Sequence, residues 1–222
     1  MSDRWLLLVA RPTPAGLDTR ALTELADLVA ARVPDVVRVG YLDQQQPSIH
    51  EVLDDAVTRG AVRVTVLPLA VPPDGYLTQW TARAVANWRE TRGPVATEID
   101  QAALDTPALA DLVVNLAKAD TAPVTASPSA FRSPAWSVLP EHDRHLLVCR
   151  GPRCTVYGAG DTHRALAKAA RGTGTLVTPM GCVGPCNLGP LVVENPGGHW
   201  HQQVDAAEAT RLAGAESPDS VC

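Results

Sequence analysis

Four of the five cysteines fall in two close pairs, Cys149-x4-Cys154 and Cys182-x3-Cys186, with 27 residues between them. No cysteine precedes Cys149, and the fifth, Cys222, is the last residue. Four thiolates converging on one point suit a soft metal centre, either an iron–sulfur cluster or tetrahedral zinc. Structural zinc favours tight Cys-x2-Cys knuckles. Gaps of four and three residues are wider and suit a cluster in which each pair holds a different iron, so [2Fe–2S] is favoured over zinc. Scattered free cysteines in a core are a further reading, because free Cys is often buried. A thioredoxin-type dithiol is weaker, since no Cys-x-x-Cys is present. Gly181, Gly184 and Gly189 leave the loop backbone bare, so that its N–H groups can approach cluster sulfurs. Arg150 and Arg153 lie inside the first pair and would balance the negative charge.

The flanking patterns place both pairs where a strand opens into a loop. His145–Cys149 and Thr175–Met180 read as strands, 160–171 as a helix, 191–194 and 199–204 as two more strands, and Asp205 caps a closing helix to about Ala213. The earlier part alternates strand and helix. Trp5–Ala10, 36–42, 62–69 and 95–99 read as strands; 17–32, 48–59, 78–89 and 107–119 read as helices. Ser48 followed by Glu51 is a capping-box pattern. This order predicts an α/β protein whose first part is a mostly parallel sheet covered by helices. The stretch 121–142, rich in Ala, Pro, Ser and Thr, reads as a linker on which Trp136 and Leu139 could pack against a neighbour. The expected organisation is a unit over 1–120, that linker, a second unit over 143–216, and a tail over 217–222 in which Cys222 is frayed.

A formal net charge of −5 over 222 residues argues against nucleic-acid binding. The longest apolar run, Trp5–Ala10, is far short of the roughly 20 residues of a membrane span and too short for a signal sequence. A cytoplasmic protein without disulfides is expected. The histidines have plain readings: His50 solvent-exposed in a first helical turn, His199 and His201 on the polar face of a strand, and His142, His145 and His163 without ligand spacing. Trp80 and Trp88, eight apart on one helical face, read as core or as a dimer interface.

The strings His145-Leu-Leu-Val-Cys149-Arg-Gly-Pro-Arg-Cys154 and Gly181-Cys-Val-Gly-Pro-Cys186-Asn-Leu-Gly-Pro190 resemble the thioredoxin-like [2Fe–2S] ferredoxins, over roughly residues 143–214. The resemblance implies a thioredoxin-like α/β unit, a one-electron carrier with the four paired cysteines as cluster ligands, a redox partner protein and a homodimer. Leu6-Leu-Leu-Val-Ala10, Gln46-Pro-Ser48 and Val64-Thr-Val-Leu-Pro-Leu69 are similar to the small class II chelatases, the sirohydrochlorin cobaltochelatase family, over 4–120. In that family the first strand ends in a metal-holding histidine, and a second follows the Pro-Leu strand. Arg11 stands at the first place here and Tyr76 or Leu77 at the second. A guanidinium has no lone pair for a cation, so the resemblance leaves metal insertion in doubt and implies a face for an anionic ligand such as a tetrapyrrole carboxylate. Three functions remain open: an electron carrier with a degenerate chelatase unit, an active chelatase with an accessory cluster, and a binding module for a tetrapyrrole or metal.

Overall fold

Leu7, Leu8 and Val9 are all buried, and β1 (Arg4–Ala10), which carries them, takes an inner place in the first sheet. A computed structural model describes residues 3–12, 19–92, 94–120, 122, 123, 125, 129 and 138–214. The first sheet has the order β2-β1-β3-β4, with β2 at Val36–Tyr41, β3 at Arg63–Pro68 and β4 at Glu98–Gln101. Every pairing in it is parallel. Helices α1 (Thr19–Ala30), α2 (Ile49–Thr58), α3 (Gly75–Arg92) and α4 (Thr106–Ala117) connect or follow the strands. Odd positions of β1 (Trp5, Leu7, Val9) pack with Ile49, Leu53, Leu77 and Trp88 from α2 and α3. Leu8 packs with Ala26 of α1 and Val37 on the other side. Strand alternation thus divides the core between two helical layers. Helix α4 buries none of its residues, and Leu112, Val113, Val114 and Leu116 are exposed.

The second sheet, β6-β5-β7-β8, is mixed. Strand β5 (Arg144–Cys149) runs parallel to β6 (Thr175–Met180) and antiparallel to β7 (Val192–Asn195), which pairs with β8 (His199–His201). Between β5 and β6 lie a short helix α5 (Pro152–Val156) and α6 (Ala159–Ala169); α7 (Ala206–Gly214) closes the chain order of described elements. Leu146, Val148, Leu166, Val192, Val204, Ala209 and Leu212 form the core of this part. An ion pair crosses it: Arg144 donates to Glu194 at 2.5 Å and to the Leu212 carbonyl at 2.6 Å.

The protein is α/β in both parts, as the element order predicts. The capping box forms, with the Glu51 N–H reaching Ser48 and the Ser48 N–H reaching Glu51, and Asp205 accepts from the Glu208 N–H at 2.7 Å. Several details differ from expectation. Helix α5 was not foreseen. The fourth strand begins at Glu98 rather than Val95, and the last ends at His201. His50 is buried at 5% exposure, because the α2 face that carries it packs against α3 and its Nε2 meets the Ala84 carbonyl at 2.9 Å. Leu139 is 86% exposed among the described residues. Trp136, most of the linker, the 217–222 tail and Cys222 lie outside the described residues.

Candidate metal centre

The parallel β5–β6 pairing sets Cys149 beside Met180, so the loops that leave the two strand ends emerge together. After Cys149 the chain turns at Gly151 into α5, with Pro152 in its first turn and Cys154 on the helix. After Met180 it runs through Cys182 to a 3₁₀ turn at Cys186–Leu188. Two glycines let these loops interlock. A Cβ on Gly151 would lie 2.7 Å from Cys182 Cβ, and one on Gly189 would lie 2.6 Å from Cys154 Sγ. Gly181 and Gly184, by contrast, have nothing within 4 Å of that position. Gly184 has φ +127°, a conformation that favours glycine, and the close approach between the two loops is made at Gly151 and Gly189.

Cys182 Sγ and Cys186 Sγ stand 3.6 Å apart. Two sulfurs held about 2.3 Å from one tetrahedral metal ion would be about 3.8 Å apart. Cys154 and Cys182 both act on Cys149, lowering its pKa, so the two pairs lie within electrostatic reach of each other. Among the described residues, no three or more His, Cys, Asp or Glu side chains surround a single ion position ready-made; the sulfurs are arranged as two neighbouring pairs. The Cys154 thiol, then the backbone N–H groups of Gly151 and Val183, and Cys182 favour the Cys149 thiolate and lower its pKa against the effect of burial. Cys154 is pushed up, first by the neighbouring Cys149 and then by burial, so the pair releases one proton readily and keeps the second. Burial and Cys182 likewise raise Cys186, with the Arg153 charge opposing them. Sulfur ligands gathered in this way suit a soft metal ion. The donor set of four sulfurs, bare backbone at Gly151 and Gly189, and N–H groups from Gly151, Val183 and Leu191 fits a [2Fe–2S] cluster.

The two arginines of the first loop part company. Arg153 donates to the Asn187 side chain and so ties α5 to the 3₁₀ turn beside Cys186. Arg150 is only 7% exposed, and its guanidinium donates to the Gln44 carbonyl at 2.5 Å, in the loop after β2. The Gln44 N–H returns a bond to the Arg150 carbonyl at 3.1 Å, and the Gln44 side chain donates to Met180 at 3.3 Å. Arg150 therefore fastens the cysteine loops to the first sheet rather than decorating an open loop.

That contact places the cysteines beside the carboxyl ends of the parallel strands, the usual site-bearing edge of such sheets. Arg11, just past β1, donates to the fully buried Asp43 at 3.1 Å and stacks 4.5 Å from the Tyr76 ring centroid. Tyr76 is the side chain that meets this edge; Leu77, the other candidate, is buried in the core at 1%. Burial raises the Tyr76 pKa, Arg11 opposes this, and Cys182 and Cys186 add to the rise, which places those sulfurs within electrostatic reach. Burial also raises Asp43, against Arg11 and Arg150. Asp43 Oδ1 and Arg150 Nε are both buried without a hydrogen-bond partner. None of the histidines binds in the sulfur group: His145 pairs with Thr178, His201 with Glu194, and His163 lies 3.4 Å from Arg150. Sequence reasoning missed Gly151, Asp43 and Gln44, whereas Gly189 was among the glycines it named. Only the Gly-Pro before Cys154 and the Gly-Pro after it in the second loop were visible signals.

The parallel sheet with a polar strand-end edge, covered by a four-cysteine loop pair, defines a two-part α/β protein with a thiol-rich centre. The chain belongs to the CbiX family, whose sequence model matches residues 6–128. Among solved structures it is similar to a CbiX protein described as a putative cobalamin biosynthesis protein from Marinobacter aquaeolei, at 17% identity over 52% of this chain and 94% of that one, TM-score 0.44. It is also similar to the wild-type thioredoxin-like [2Fe–2S] ferredoxin from Aquifex aeolicus, at 26% identity over 33% of this chain and 84% of that one, TM-score 0.30. No curated protein sequence matches the chain. No helix among the described residues is long and apolar enough to cross a membrane.

Proposed function

We propose that this protein is a one-electron carrier in which Cys149, Cys154, Cys182 and Cys186 hold a [2Fe–2S] cluster against the strand-end edge of a CbiX unit. The cluster would supply a reversible one-electron couple. The observation that carries the reading is the interlocking of the two cysteine loops at Gly151 and Gly189, beside the paired ends of β5 and β6, with the Cys182 and Cys186 sulfurs 3.6 Å apart. The residues around it orient and charge-balance the site. Gly151 and Val183 N–H groups favour thiolate at Cys149, and Arg153 favours it at Cys186.

Membership of the CbiX family links the carrier to tetrapyrrole metabolism, with a redox protein as its partner. At the strand ends, Arg11 is committed to Asp43 and Tyr76. A guanidinium accepts no metal, so the edge is suited to an anionic group and not to ordinary cobalt insertion. Insertion of cobalt into sirohydrochlorin above the spontaneous rate, abolished by substitution at Arg11 or Tyr76, would return the chelatase reading. For the cluster itself, anaerobically purified protein is expected to give the absorption and EPR signals of a [2Fe–2S] centre, with two iron and two sulfide per chain. Any one of the four cysteines replaced by Ser removes or destabilises the chromophore, and Cys222→Ser leaves it. Colourless protein with one stoichiometric zinc overturns the proposal.

A further inference from the structure

Helix α3 carries Trp80, Arg83 and Asn87 at i, i+3 and i+7, on one helical face. Opposite them α5 contributes Arg153 and Tyr157 from its last turn and cap, and His50 of α2 completes the wall. Together they line a cavity of about 310 Å³ between the two parts of the molecule. That lies within the range of about 300–1,000 Å³ typical of small-molecule sites. It equals roughly ten water volumes, enough for a fused-ring system and a substituent but not for a large macrocycle.

The chemistry of the wall is one-sided. Trp80 and Tyr157 supply flat apolar surface. Both charged groups are guanidiniums, and no acidic side chain lines the cavity among the described residues. Arg83 lies 5.0 Å from the Trp80 ring centroid, and Arg153 donates to the neutral side chain of Asn187, so neither positive charge is paired with a carboxylate. His50 adds a polar edge without a third charge, since burial lowers its pKa while its Nε2–H meets the Ala84 carbonyl. We infer that this cavity binds a planar aromatic molecule bearing a phosphate or carboxylate, its ring against Trp80 and its anionic group on Arg83. The site adjoins the strand-end edge, since the Tyr76 ring that Arg11 covers lies 6.0 Å from the Trp80 ring, but none of the four paired cysteines lines it. Arg153 nevertheless links it to Cys154, its neighbour in sequence.

Flavin mononucleotide and riboflavin share one ring system and differ by a phosphate, which makes them suitable probes. Calorimetric titration of the full chain is expected to show one site for flavin mononucleotide and at least tenfold weaker binding of riboflavin. Arg83→Gln should weaken flavin mononucleotide binding tenfold or more while leaving riboflavin unchanged, and Trp80→Leu should weaken both. Arg83 is exposed, so its variant should keep the wild-type urea midpoint. Absence of flavin mononucleotide binding, equal affinity for the two flavins, or an Arg83→Gln variant that binds flavin mononucleotide like wild type overturns the inference.

Discussion

Gly151→Ala tests whether the two cysteine loops are held by close approach. Gly151 has φ −65° and ψ 169°, a conformation open to alanine, so the substitution introduces no backbone strain of its own. The new methyl would meet Cys182 at 2.7 Å from Cβ, 2.9 Å from Cα and 3.3 Å from N. Carbon atoms in contact prefer about 3.5–4.0 Å, so the gap is short by about 1 Å. The nearest atoms belong to backbone and Cβ, which cannot rotate away, and the loop bearing Cys182 must move off Cys149. Overpacking of this size costs about 1–3 kcal/mol. At about 1.4 kcal/mol per tenfold change that is roughly a fivefold to hundredfold loss of hold on the metal. The assay is anaerobic iron release to a chelator, followed by absorbance, from reconstituted protein. Gly181→Ala is the matched control, because nothing lies within 4 Å of its added carbon. Wild-type iron content and release rate in Gly151→Ala would refute the close-approach reasoning.

Glu194→Gln removes the carboxylate from the buried Arg144 guanidinium and should cost about 3–5 kcal/mol in urea unfolding; a loss below about 1 kcal/mol would count against a structural pair. Burial pushes the Glu194 pKa up, but bonds from Arg144 and His201 outweigh it and hold it below the ordinary value. Its contribution should be complete above about pH 4.3 and fade as pH falls through the lower folded value. Burial lowers the His50 pKa, so its contribution is full above the unfolded value of about 6.5 and declines as pH drops below it; His50→Gln should flatten that part of the pH profile of urea midpoints, and an unchanged slope would exclude it. Arg150→Met cuts the bond to the Gln44 carbonyl and withdraws one cation from Asp43. It should lower stability by about 1–3 kcal/mol, and an unaltered melting temperature would mean that the contact with the first sheet does not hold the parts together.

Local patterns carried much of the fold. Ser48 and Glu51 announced the start of α2, and the Leu7–Val9 run announced a buried strand, because capping and burial on both faces leave their mark within a few residues. Helix α5 is five residues long and opens Gly-Pro, too short for any periodicity to show. His50 looks exposed in sequence because polarity alone speaks there; its burial follows from packing against α3, thirty-four residues away. The same limit applies at the thiol centre. The cysteine spacing marked the sulfurs, while Gly151 matters through atoms of Cys182, thirty-one residues distant. Arg150 likewise read as loop charge because Gln44, its partner, lies in the loop after β2 of the other part of the chain.

Exposure divides the four sulfurs into an inner and an outer pair. Cys149 and Cys154 are each 2% exposed, whereas Cys182 is open to solvent and Cys186 partly so. An oxidant arriving from outside meets the outer pair first. Once metal is lost, those two thiols, 3.6 Å apart, are poised to close into a disulfide, giving two electrons to the oxidant and releasing two protons. The inner pair stays shielded. If the cysteines hold a cluster as proposed, such damage would leave a latch: the oxidised pair would exclude iron until a thiol reductant reopened Cys182 and Cys186.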